Sequence, residues 1–157
     1  MTTSNRNTLI EKIRNFPSQL DTLLKGLSDE QLTTPYLSGE WTVAQNVHHL
    51  ADSHMNSYIR MKLILTENHP TLKPYNQDAW ALTPEAQSDR IETSLMILHG
   101  LHKRWVELFE SLAEEDWSRS GFHAENGEMS IADILRIYAD HCDAHLDQIR
   151  RTLAAAN

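Results

Sequence analysis

The chain has 157 residues, of which 40% are hydrophobic and 23% are charged, and its formal net charge is −8 at pH 7. This length can bury the core of one domain without disulfide bonds, so we expect residues 1–157 to form a single domain. The acidic balance and the lack of clustered Lys and Arg argue against nucleic-acid binding. No apolar run approaches the roughly 20 residues of a membrane span. A single cysteine predicts a cytoplasmic protein, as do residues 1–14, which mix polar with isolated apolar residues and lack the apolar run of a signal peptide.

The hydrophobic periodicity predicts an all-α protein, a four-helix bundle, and no alternating run is long enough for a convincing strand. The predicted helices span about 7–25, 42–67, 88–113 and 130–153. Pro17 is expected to kink or divide the first helix, and residues 28–31 have the pattern of a capping box that starts one short turn. The same pattern recurs at residues 42–45, where the second helix begins.

The connection between the second and third helices predicts the topology. It is about twenty residues long and carries Pro70, Pro74 and Pro84, with a short turn expected within 75–80. A connection of this length lets the chain cross the bundle and start again from the same end. The expected order is therefore up-down-down-up, with the second and fourth helices antiparallel.

The sharpest local signal is the pair His141 and His145 in the fourth helix. Residues four apart share a helix face, so two imidazoles can converge on one ion. The apolar stripe of this helix leads into the pair, which places it inside the bundle. A pair of this spacing taken alone is more often a pair of surface or hydrogen-bonded core histidines, and with the inward stripe the two interpretations fit equally.

The second helix offers three further histidines, His48, His49 and His54. Periodicity favours His54, which shares a side with Val47 and Leu50, whereas His49 lies roughly 140° around the helix from it. In antiparallel helices, His49 lies at about the level of His141 and His145. Spacing alone therefore permits a three-histidine site without choosing its third member.

The segment GEWTVAQNVHHLADSHMNSY at 39–58 resembles the YfiT-like branch of the DinB superfamily. Further similar features are Lys73-Pro74-Tyr75, Trp80 and Leu101-His102 with Trp105. The resemblance covers nearly the whole chain and implies a four-helix bundle, often a homodimer, with one divalent metal ion held by His49, His141 and His145. Asp140 stands where YfiT-like chains often carry Trp, and 141–148 looks more like DinB proteins at large.

The resemblance also implies a chemistry. Three neutral histidines with open positions are typical of a catalytic metal site rather than a structural one. DinB relatives include S-transferases that use bacillithiol, mycothiol or glutathione, and YfiT-like proteins have been labelled metal-dependent hydrolases. We therefore expect transfer of a low-molecular-weight thiol to an electrophilic substrate. The alternatives are a hydrolase that uses metal-bound hydroxide and a bundle that binds metal or ligand without catalysis. Zinc is the expected metal, with nickel, iron, copper or manganese as alternatives.

No general base is assigned from the sequence. Asp52 and Asp140 are candidates for a base or for orienting an imidazole, although the pattern favours ordinary exposed helix carboxylates for both. Gln148 follows His145 by one turn, and His102 occupies a core position that could touch the pocket. The remaining residues are interpreted as structural or surface side chains. They are Tyr138, Cys142, His48, His54 and His123.

Overall fold

The computed structural model describes residues 1–156, and Asn157 lies outside the described part. The helices are α1 (Thr3–Leu24), α2 (Asp29–Thr33), α3 (Val43–Thr66), α4 (Gln77–Ala81), α5 (Glu92–Glu110) and α6 (Ile131–Ala154). A 3-10 turn at Glu114–Ser118 follows α5. The strands are β1 (Thr71–Leu72), β2 (Ser120–His123) and β3 (Gly127–Ser130). The four predicted long helices are α1, α3, α5 and α6, and none of the described helices has a stretch apolar and long enough to cross a membrane.

Local capping residues set where these helices begin. Thr42 and Ser130 each accept a hydrogen bond from the backbone N–H three residues on, and the side chains of Gln45 and Asp133 accept from the cap residue in return. The same exchange starts α2 at Ser28. The helix α1 begins earlier than the predicted Asn7, because the Thr2 hydroxyl caps its first turn.

The two helices that carry the candidate ligands run antiparallel. Asn46 near the start of α3 contacts His145, and Ser53 one to two turns later contacts Tyr138. Residue numbers therefore rise along α3 while they fall along α6. This arrangement places the first half of α3 beside the middle of α6.

The remaining pairings complete the bundle. The helices α3 and α5 run parallel, since His48 contacts Ser94 and Met61 further along contacts Trp105. The side-chain pairs between α1 and α5 join later residues of α1 to earlier residues of α5, so these two helices are antiparallel. The topology is up-down-down-up, as predicted, and the long crossover at 67–91 carries β1 and α4.

Pro17 does not divide α1, contrary to one of the two expectations for it. The helix continues from Thr3 to Leu24 with Pro17 buried inside it. Proline has no N–H, so the carbonyl of Ile13 lacks its usual donor within the helix. That carbonyl instead accepts a hydrogen bond from Nδ1 of His102, at 2.7 Å.

The small sheet is a feature that the sequence patterns missed. Strand β1 pairs in parallel with β2, and β2 pairs antiparallel with β3 through a tight connection that ends at Gly127, whose φ is +73°. Strands of two to four residues are too short for alternation to be visible in the sequence. The sheet leads directly into α6 and brings His123 to the edge of the bundle interior.

Candidate metal centre

Three histidine side chains converge between α3 and α6. Nε2 of His141 lies 3.3 Å from Nε2 of His49 and 3.1 Å from Nε2 of His145. One ligand atom from each of the three lies within 4.8 Å of the others. Nitrogen ligands of a tetrahedral zinc ion, at their usual bond length, lie about 3.3 Å apart. The three imidazoles therefore have the spacing of a metal-ligand set.

Asn46 determines the tautomer of His145. The Asn46 amide nitrogen donates to the carbonyl of Thr42 at 2.9 Å, which leaves its oxygen facing Nδ1 of His145 at 2.8 Å. An amide oxygen only accepts, so Nδ1 of His145 carries the proton. Nε2 of His145 is then left with a free lone pair.

A chain of hydrogen bonds from α1 determines the tautomer of His141. The Ile13 carbonyl can only accept, so Nδ1 of His102 is the donor to it. Nε2 of neutral His102 then accepts from Nδ1 of His54 at 2.7 Å, and Nε2 of His54 accepts from Nδ1 of His141 at 3.1 Å. Nε2 of His141 therefore also has a free lone pair.

These tautomers test whether the residues suit a metal. Two nitrogens with lone pairs face each other at 3.1 Å, in His141 and His145, and no proton is available between them in this tautomer state. Nε2 of His141 can accept from Nε2 of His49 at 3.3 Å, but Nε2 of His145 then faces no donor among the described residues. A buried acceptor without a donor is unfavourable, and a cation shared by the three nitrogens removes that cost. The three-histidine set therefore fits a divalent metal ion.

Burial keeps the three imidazoles neutral. It lowers the pKa of His49 to about 3 and that of His145 to about 4, with the charge of His145 adding to the effect at His49. Burial also lowers the pKa of His141 well below its usual value. Metal ligation requires the neutral form, so no proton has to be removed near neutral pH.

Trp41, immediately before the cap of α3, packs against two of these histidines. Its ring centroid lies 4.6 Å from that of His49, and it stacks on His145 at 6.3 Å with an interplanar angle of 11°. The indole therefore restricts both rings and keeps water from one side of the site.

Two cavities open at the three-histidine set. The larger, about 590 Å³, is lined by His141 together with residues of α3, the crossover and the sheet. The smaller, about 390 Å³, is lined by all three histidines, Trp41, Glu40 and Gln148. His141 and Gln77 line both cavities, so a ligand in either one can approach the histidines.

The other candidates have separate positions. Asp52 contacts none of the three histidines, and burial together with Glu85 raises its pKa to about 6. Asp140 is exposed, while Gln148 lines the smaller cavity. Cys142 is buried, as interpreted from the sequence, and burial raises the pKa of its thiol.

Several site residues were missed by the sequence reasoning. His54 is fully buried and bonds to His141, so it is no surface residue, and Tyr138 lines the larger cavity as well as belonging to the core. Trp41 and Glu40 lie beside the ligands. The sequence did contain a signal for His54, because periodicity already placed it on the buried side of the second helix. His48 turns away and bonds to α5 through Ser94.

A four-helix bundle with a three-histidine site between antiparallel helices defines the class of protein, and sequence comparison gives the family. The chain belongs to the DinB superfamily, whose profile matches residues 13–149. The resemblance noted in the sequence is thereby confirmed.

Two groups of relatives are informative. Proteins from Bacillus cereus and Bacillus thuringiensis, each named "putative metal-dependent hydrolase", are 45% identical over 150 residues, which are 94% of this chain and 86% of theirs. YfiT from Bacillus subtilis, described as a probable metal-dependent hydrolase with an unusual four-helix bundle topology, is 35% identical. Its structure superposes with a TM-score of 0.93 over 97% of this chain and 87% of its own.

A more distant structure shares the fold alone. The mycothiol-dependent maleylpyruvate isomerase superposes with a TM-score of 0.59 at 17% identity, over 95% of this chain and 63% of that protein. The bundle is thus a scaffold common to proteins of low sequence identity.

Proposed function

We propose that this chain is a metal-dependent enzyme that holds one divalent ion through His49, His141 and His145 and transfers a low-molecular-weight thiol to an electrophile. The observation that carries the metal site is the convergence of three Nε2 atoms, two of them with lone pairs fixed by partners on Nδ1. Zinc is our first choice for the ion, since three imidazoles and an open position suit it, with nickel, iron, copper or manganese as alternatives.

The arrangement of the cavities supports a reaction with two substrates. Both cavities reach His141, one from the side of the sheet and one from the side of Trp41. A thiol in one and an electrophile in the other would meet at the ligand set. A bound divalent ion supplies Lewis acidity, which lowers the pKa of a thiol or water at its open position.

Hydrolysis is the second candidate, and a specific residue favours it. Oε2 of Glu40, in the wall of the smaller cavity, is buried and has no hydrogen-bond partner among the described residues, while Oε1 pairs with Arg151 at 3.0 Å. A free carboxylate oxygen beside the ligand set has the chemistry of a general base for water. The names of the Bacillus relatives agree with this alternative.

Metal content is the first measurement. Elemental analysis of tag-free protein is expected to find about one divalent ion per chain in the wild type and none in the double variant His141→Ala/His145→Ala. His99→Ala, an exposed histidine on α5, is the matched control and is expected to keep the metal. A wild type that stays metal-free after incubation with zinc and with nickel would refute the proposal.

Activity assays separate the two chemistries. Thiol transfer predicts conjugates of small thiols with alkyl halides or epoxides that require both metal and thiol, and little dependence on Glu40→Gln. Hydrolysis predicts ester or amide cleavage without thiol that falls in Glu40→Gln. Asp147→Asn is the control, because Asp147 pairs with the same Arg151 at 3.2 Å but lies outside the cavity. Metal-loaded protein without either activity would favour a non-catalytic binding bundle.

The partners and location are also proposals. We expect a small-molecule thiol and an electrophile as substrates, a homodimer in solution, a cytoplasmic location and no binding to nucleic acid or membrane. Light scattering on a sizing column tests the dimer, for which the exposed side chains of Ile59 and Met96 are candidate contacts.

A further inference from the structure

The larger cavity contains a buried cation without a counter-ion. Arg60 on α3 is 8% exposed and lines this cavity, and none of the described carboxylates lies within ion-pairing distance of it. Its Nη2 donates to the Lys73 carbonyl at 2.6 Å, whereas its Nε has no partner. An arginine buried without an anion is unfavourable, so its retention at a cavity wall points to an anion that arrives from solution.

A second donor lies in the same cavity wall. His123 on β2 is 2% exposed, and its Nδ1 accepts from the backbone N–H of Glu125 at 3.3 Å. The proton of the neutral ring is therefore on Nε2, which is buried and has no partner among the described residues. Burial, and to a smaller extent the proximity of Arg60, lowers the pKa of His123 below its usual value, so this N–H donor is uncharged.

Together these side chains form an incomplete anion site. Arg60 and His123 approach the cavity from different elements, α3 and the sheet, and each brings an N–H that has no partner within residues 1–156. Glu125 is the acidic side chain in the cavity wall, and it is exposed. Guanidinium and imidazole N–H groups are the donors that proteins use for carboxylates.

The position of this site relates it to the ligand histidines. His49, Ser53, Ser57 and Arg60 follow each other on one face of α3, and the backbones of the first and last are about 16 Å apart along the helix. Arg side chains in helices lean toward the N-terminus, which brings the guanidinium closer to His141. Ser53 and Tyr138, whose hydroxyl oxygens lie 3.4 Å apart, line the cavity between the two ends.

We infer that Arg60 and His123 bind the carboxylate of a substrate whose reacting group lies at His49, His141 and His145. The position of the reacting group at the three histidines rests on the proposed metal-dependent function, whereas carboxylate binding by Arg60 and His123 does not. The carboxylate would belong either to the thiol or to the molecule that reacts with it. The substrate class is thus an elongated carboxylic acid, several bonds longer than a two-carbon acid.

The first arm of the test needs no metal. Metal-free protein is titrated with hexanoate and, separately, with hexanol, and the NMR signal of the Arg60 Nε–H is followed, assigned by its absence in Arg60→Met. Hexanoate is expected to shift this signal saturably, and hexanol is not. Arg104→Met is the matched control, because Arg104 is an exposed arginine that lies over Tyr58 outside the cavity. An Arg60 signal that hexanoate leaves unmoved overturns the inference, whatever the metal site does.

The second arm uses cobalt-loaded protein and the sulfur-to-cobalt absorption band. ω-Mercaptohexanoate is expected to bind at least about tenfold more tightly than ω-mercaptohexanol, because a hydrogen bond to a charged group is at stake. This preference should vanish in Arg60→Met and persist in Arg104→Met, while the short mercaptoacetate should show none over mercaptoethanol. If hexanoate shifts the Arg60 signal but the two long thiols bind with equal affinity, the carboxylate belongs to the electrophilic substrate and not to the thiol. If no absorption band forms with any thiol, the proposed thiol chemistry fails and the anion site stands on the first arm.

Discussion

Nε2 of His54 lies 3.1 Å from Nδ1 of His141, so a fully buried histidine of α3 accepts the hydrogen bond of a histidine in the ligand set. His54 in turn donates to His102, which donates to the carbonyl that Pro17 leaves free in α1. The proton positions in this series follow from the Ile13 carbonyl, because a carbonyl can only accept a hydrogen bond. The orientation of His141, a candidate ligand on α6, is thereby coupled to a proline on α1.

We expect His54→Leu to weaken metal binding by about 10- to 100-fold, the usual effect of removing a partner of a ligand histidine. The loss arises because Nδ1–H of His141 has no acceptor and its ring is no longer oriented. Competition with a coloured chelator measures the affinity, and circular dichroism shows whether the bundle is folded. His54→Gln restores an acceptor and should recover part of the affinity. An unchanged affinity in the leucine variant would contradict this role.

Metal should stabilise the wild-type fold through the same ligands. With free ion at about 100 times its dissociation constant, binding to the folded state alone adds about 2.7 kcal/mol to the free energy of unfolding. Thermal melts with and without zinc measure the shift, which should be absent in His141→Ala/His145→Ala. Equal shifts in both proteins would place the stabilising ion elsewhere.

The stability of the metal-free protein should depend on pH. Burial lowers the pKa values of His102 and His145 from 6.5 to about 4, so both are neutral when folded and become charged on unfolding in acid. The unfolded state then binds more protons, and stability is lost as the pH falls through 6.5 toward about 4. When the pH is well below both pKa values of His102, its contribution lowers the free energy of unfolding by about 3 kcal/mol.

Urea denaturation across this pH range measures the effect. The slope of unfolding free energy against pH reports how many more protons the unfolded chain binds. This number should be smaller by about one in His102→Gln, because glutamine cannot be charged. A wild-type stability that does not change over this range would show that these imidazoles titrate alike in the folded and unfolded chain.

Two glycine substitutions should have opposite effects. A Cβ on Gly121 would lie 2.7 Å from the Pro70 carbonyl oxygen and 3.2 Å from Leu72, so the backbone of β1 or β2 must shift. We expect Gly121→Ala to cost about 1–3 kcal/mol. Gly100 is exposed within α5 with nothing near its Cβ position, so Gly100→Ala should stabilise by about 0.5–1 kcal/mol. Chemical denaturation of both variants checks the signs, and destabilisation by both would contradict this account.

The sequence by itself determined the helices and one pair of candidate ligands. Capping boxes fixed the starts of α2, α3 and α6, since the exchange of hydrogen bonds between a cap residue and its third neighbour is local. The spacing of His141 and His145 put both imidazoles on one face of α6, because that geometry depends only on helix pitch. The long crossover indicated the topology, because a connection of that length lets the chain cross the bundle and start again from the same end.

Helix periodicity could not decide between His49 and His54, and the tertiary structure shows how their positions differ. Both contact His141, the first at Nε2 in the ligand set and the second at Nδ1 behind it, and this difference depends on how α3 is rotated against α6. Periodicity identifies the more buried histidine, which here is the supporting one. The resemblance to DinB proteins supplied the choice that spacing could not.

The other features that escaped the sequence share one physical reason. The acceptor for His102 exists because of a proline on another helix, and the cavity lined by both Arg60 and His123 lies between α3 and a sheet whose strands are too short to predict. Contacts between residues far apart in sequence depend on packing, which no local pattern encodes.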